Sequence, residues 1–157
     1  MLAYVFWHRP GDDAHRARYE EGLRAFHGTL DLGSASFRLE RLPFESETGG
    51  GYEDWYLVEG WSALGDLNER AVDSLHRPSH DRVAAEVTRG WGGIYELLRG
   101  EAQVPAGTEW FEKPLGEPTA DFLAARPEET IWRRQMVLGP APEFCAATAA
   151  RPARVAI

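Results

Sequence analysis

Trp7, His8 and Arg9 stand together where an apolar run meets a Pro-Gly turn, in "YVFWHRPGDD". An imidazole titrates near pH 6.5 without tuning, so a histidine here can serve as a general base or a ligand. An indole can stack on a substrate, and a guanidinium can hold a carboxylate. The plainer reading is a strand end with a hydrogen-bonded histidine and a solvent-paired arginine. A second cluster, "HRPSHD", holds His76, His80 and Asp81. Two histidines four residues apart can share a zinc ion on an unbroken helix, but Pro78 interrupts this one and no HExxH occurs. A helix connection is expected there, and no metal. Trp7, Trp55 and Trp61, with Arg9, are the ligand-binding candidates; the same indoles could fill a core or a subunit interface. Cys145 is the only cysteine, with no histidine or cation beside it in the sequence, and reads as a buried hydrophobe. No GxSxG, GxGxxG or phosphate loop is present.

These residues belong to a chain of 157, enough for one domain with its own core. The formal charge is −8 and lysine occurs once, at Lys113, so no basic stripe tracks a nucleic-acid backbone. Arg- and Ala-rich usage suggests GC-rich coding and a bacterial source. No apolar run approaches the length of a membrane span and no signal segment is evident, so a cytoplasmic protein is expected, with no membrane partner.

The elements that would position the candidates follow from periodicity. Residues 3–9 alternate Tyr4, Phe6 and His8 against Val5, Trp7 and Arg9, a strand covered on both faces. Asp12 or Asp13 can cap a helix over about 13–29 that buries Tyr19, Leu23, Phe26 and Leu30. "ASFRLERLPF" is a second strand, "ESETGGG" a hairpin loop, and "YEDWYLVEGW" a third strand. In that third strand Trp55, Leu57 and Trp61 share a face with Glu53 and Glu59, while Tyr56 and Val58 face the other way. Ser62 can cap a short helix with Leu64, Leu67, Ala71 and Leu75 inward. Ser79 can cap another whose stripe is Val83, Val87, Trp91, Ile94 and Leu98, ending at Gly100. Gly90, Gly92 and Gly93 cut across that stripe, at a cost of ~1 kcal/mol each in a helix. Either the helix bends near Trp91, or another backbone packs closely there. "TEWFEKP" is the fourth strand. "PTADFLAAR" is a helical turn or two, "TIWRRQMVL" and "EFCAATA" are further strands, and the tail "ARPARVAI" has no evident core role.

The fold class expected is therefore α+β. Residues 1–113 form a ferredoxin-like β-α-β-β-α-β antiparallel sheet with helices on one face. Residues 114–157 form a C-terminal extension of one or two strands within the same domain. The other face carries large aromatics and needs cover, most simply from a second copy, giving a homodimer.

With this order, "HRPGDDAHRARYEEGLRAFHGTL" resembles the opening of the EthD-like families of the dimeric α+β-barrel superfamily, which also holds stress-responsive barrels and antibiotic-biosynthesis monooxygenases. Arg9, Pro10 and His27 match an Arg-Pro turn followed by a helix ending in histidine. Taken alone, His27 is simply a histidine favoured by the dipole at a helix C-terminus. The resemblance implies a face-to-face dimer with a pocket between sheet and helices, and a catalytic role for His27, so that His8 or His27 is the candidate base. It implies a cofactor-free oxygenase- or decarboxylase-like activity on a small aromatic or polyketide-like molecule. A non-catalytic homodimer and a haem-binding barrel are the alternatives.

Overall fold

The computed structural model describes residues 1–11, 15–46, 49–151 and 153–157, with only the backbone of Leu138. Its strands are β1 (Leu2–Pro10), β2 (Ser34–Leu39), β3 (Gly51–Val58), β4 (Val87–Arg99), β5 (Gly107–Phe111), β6 (Ile131–Leu138), β7 (Phe144–Thr148) and β8 (Arg154–Ala156). The helices are α1 (Arg16–His27), α2 (Trp61–Ala71), α3 (Arg77–Ala84) and α4 (Thr119–Ala124). The protein is α+β, with one nearly closed antiparallel sheet in the order β5-β7-β6-β4-β1-β3-β2-β8. Among the described residues no helix is long and apolar enough to cross a membrane.

Closure follows from the side chains. Ala3, Val5 and Trp7 of β1, and Trp55 and Leu57 of β3, point inward, where they meet Tyr95, Trp132 and Cys145. Leu2, Tyr56, Val58 and Ile94 point outward and are covered by Phe26 of α1 and Leu67 of α2. Tyr19 and Leu23 of α1 pack outside with Tyr52 and with Val83 of α3. Period-two alternation thus gives β1, β3 and β4 a barrel face and a helix face. The aromatic face for which a second copy was expected is filled by the chain's own β5, β6 and β7.

Several expectations are corrected. The stripe from Val83 to Leu98 is not one helix: α3 ends at Ala84 and β4 begins at Val87. The glycines explain why. β4 lies along β1, and a Cβ at Gly90 would come within 2.6 Å of the Phe6 ring, one at Gly92 within 3.0 Å of Tyr4, and one at Gly93 within 2.7 Å of Tyr95. They clear space for aromatic rings over a strand, whereas in a helix they would only weaken it. "TEWFEKP" accordingly contains the fifth strand. Trp61 opens α2 instead of ending β3, with Gly60 at the N-cap where Ser62 was expected; His76, not Ser79, precedes α3. Leu75 is exposed. The capping role of Asp12 or Asp13, and part of the "ESETGGG" loop, lie outside the described residues.

The tail is also corrected. β8 pairs with β2, and Arg154 is buried. Its guanidinium donates to Glu53 (3.0 and 3.2 Å) and to the carbonyls of Pro105 and Ala106 (2.6 and 2.8 Å), next to the opposite edge strand β5. The Glu53 carboxylate, fully buried, also accepts the indole N–H groups of Trp7, Trp55 and Trp110 at 2.9, 2.8 and 3.1 Å. A carboxylate inside an apolar barrel survives only when so fully partnered.

Candidate functional site

β1 and β3 pair so that His8 stands opposite Tyr52, two residues from Asp54 on the same face. That brings the His8 ring to Asp54: Nε2 lies 3.0 Å from Oδ2, and Nδ1 lies 2.7 Å from the Tyr19 hydroxyl of α1. Nε2–H donates to the carboxylate and Nδ1 is hydrogen-bonded to the Tyr19 hydroxyl, so both ring nitrogens are used. Tyr56 donates its hydroxyl to the same Oδ2 at 3.1 Å. His27, at the C-terminal end of α1, stacks on Tyr56 with ring centroids 5.0 Å apart and sets Nε2 3.7 Å from Oδ2, ion-pair reach but longer than a hydrogen bond.

Three buried atoms here have no hydrogen-bond partner: both ring nitrogens of His27, and Oδ1 of Asp54. Orphaned polar atoms are rare in native interiors. Burial pushes the Asp54 carboxyl up, but the two adjacent imidazoles outweigh it and hold the group well below its usual range. Burial, then the Asp54 charge, pushes the Tyr19 and Tyr56 hydroxyls up and the Tyr4 hydroxyl up to about 12, so all three stay protonated at neutral pH.

The cluster forms the floor of a cleft between the sheet and the helices. Its narrow lobe, about 230 Å³, is lined by His8, Asp54, Phe6, Phe26, Tyr56 and α3. A wider lobe of about 550 Å³ shares Phe6, Phe26, Tyr56 and His80 and continues past Tyr4 to Trp61 and Met136. The walls are aromatic and aliphatic, and neither lobe is lined by Arg or Lys among the described residues.

The candidates from the sequence divide between the two faces. His8 and Trp61 line the cleft, and His27 is buried behind it against Asp54 and Tyr56. Trp7 and Trp55 do not line it: they are fully buried on the barrel side, bonded to Glu53. Arg9 also faces away, with Nε on the Gly50 carbonyl at 2.6 Å and both terminal nitrogens on Glu45, so its fork is already occupied. His76 is a structural residue, Nδ1 on Asp73 and Nε2 on the Thr29 carbonyl. His80 has separate partners, Phe26 and Asp81. Among the described residues no group of His, Cys, Asp or Glu could hold a metal ion. Cys145 is sealed in the barrel, where burial pushes its thiol well up.

Asp54, Tyr19 and Tyr56 are the residues that sequence reasoning did not single out for chemistry. The available signal was the alternation Tyr52-Asp54-Tyr56, which puts a carboxylate on the same sheet face as His8 once the two strands pair. Comparison with protein-family models, curated proteins and solved structures finds no match for this chain.

Proposed function

We propose that the protein binds a small molecule with an aromatic or otherwise apolar body, polyketide-like compounds included, in the cleft between sheet and helices. It moves a proton on that molecule without a bound cofactor. The observation that carries this reading is Asp54, buried at the cleft floor, hydrogen-bonded to His8 and within ion-pair reach of His27. A proton taken up by either imidazole is held by the carboxylate between them, as in other His–Asp pairs. His8 borders the cleft; His27 is buried behind it with neither ring nitrogen hydrogen-bonded. The run β4-β1-β3-β2, with helices on one face, supports a single-chain relative of the dimeric α+β barrels, with β5–β7 where a partner's sheet would lie. The test is deuterium exchange at the α-carbon of 2-tetralone, an aromatic ketone whose C–H needs only a base. Exchange above the buffer rate, reduced at least tenfold in His8→Ala or His27→Ala, is expected. Unaltered exchange in both variants rules out this base assignment.

A second reading has its own support. A carboxylate held far below its usual range is a weak proton acceptor, which suits a binding site without turnover.

A further inference from the structure

The cleft's charge is one-sided. Asp54 is held ionised, its Oδ2 is shared by His8 and Tyr56, and its Oδ1 has no partner although the residue is only 3% exposed. No guanidinium or ammonium lines either lobe among the described residues. The nearest groups able to carry positive charge are His8 and His27, and both address Oδ2. The narrow lobe that Asp54 lines presents the rings of Phe6, Phe26 and Tyr56, and the wider lobe that shares them adds Tyr4 and Trp61. Aromatic faces beside a carboxylate suit an organic cation, which draws on ring quadrupoles and ionic attraction together. An anion would meet no guanidinium or ammonium among the described lining residues, and the chain's net charge of −8 also favours the approach of cations.

We infer that the ligand of this cleft is a protonated amine on an apolar body, its ammonium directed to Asp54 Oδ1 and its body against the aromatic walls. This rests on the cleft being the binding site, and it narrows the class of molecule bound there. The raised Tyr4 and Tyr56 hydroxyls stay protonated and leave the carboxylate as the anionic anchor.

Isothermal titration calorimetry with 2-phenylethylamine, 2-phenylethanol and phenylacetate at neutral pH tests the inference, because the three share a body and differ in charge. The ammonium should bind about tenfold tighter than the alcohol, and phenylacetate weakest. Asp54→Asn should bring the ammonium down to the alcohol's affinity while leaving the alcohol nearly unchanged. Tyr4→Leu, which removes an aromatic wall stacked on Tyr56 but no hydrogen bond to Asp54, should weaken the ammonium more than the alcohol. Equal affinities for ammonium and alcohol, or tighter binding of phenylacetate, overturn the inference and leave the cleft reading standing. Failure of all three to bind the wild-type protein overturns both.

Discussion

Asp54 is pulled in two directions, and the balance between them is measurable. Burial disfavours its charge, while the flanking imidazoles favour it more strongly. Its folded pKa is therefore depressed below the unfolded value of about 3.9, and its stabilising contribution is complete above that value. It is lost as pH falls toward the folded pKa. The urea midpoint of the wild-type protein should fall more steeply from about pH 5 to about pH 2.5 than that of Asp54→Asn, which has no such carboxyl to protonate. Equal slopes would show that Asp54 is not held ionised. The sequence disclosed His8 because a histidine beside tryptophan at a strand end is conspicuous. It did not disclose Asp54, because a carboxylate between two tyrosines reads as ordinary polar alternation until the neighbouring strand is known. His27 was visible only through a resemblance; its position beside Asp54 depends on how α1 lies across the sheet, which no local pattern encodes.

At the scale of elements, β4 and β8 were hidden for different reasons. The apolar residues of 83–98 fall three and four apart, a helical spacing, yet Trp91, Tyr95 and Leu97 join the barrel core and Ile94 the helix-covered face. The glycines were the better guide. Gly90→Ala should force the Phe6 ring aside, destabilise the protein by about 1–3 kcal/mol and weaken ligand binding, because Phe6 lines both lobes of the cleft. Thermal unfolding and a titration with the phenethyl compounds would read the two effects together. β8 spans only three residues, too few for a periodic signal, and its importance lies in one side chain. Arg154→Ala would leave the Glu53 charge in the barrel with indole donors alone, at a cost of about 3–5 kcal/mol. The double variant Glu53→Gln, Arg154→Met should cost less than the sum of its single changes. Additive losses would mean that the two groups do not act as a pair.

For the whole molecule, alternation along β1 and β3 correctly implied a sheet covered on both faces, and composition implied enough apolar material to do so. What neither could tell is which chain supplies the cover, since a second copy and a C-terminal extension present the same kind of surface. Here the extension forms the rest of the barrel, with β6 paired to β4 and β7 to β6. The apolar face that would demand a partner is no longer exposed. Sedimentation should therefore find a species of 17.6 kDa at micromolar concentration. A stable dimer would instead point to association through a surface other than the barrel interior.

Cys145 gives the closed barrel a built-in clock. It is the only thiol in the chain and has no exposed surface, so a thiol-specific reagent can label it only during the moments when strands part. The labelling rate under native conditions then counts openings of the barrel, one molecule at a time, with no engineered probe. If the bonds from Arg154 to the Pro105 and Ala106 carbonyls keep the seam between β8 and β5 shut, Arg154→Ala should quicken that clock well before any loss of structure is visible by other means.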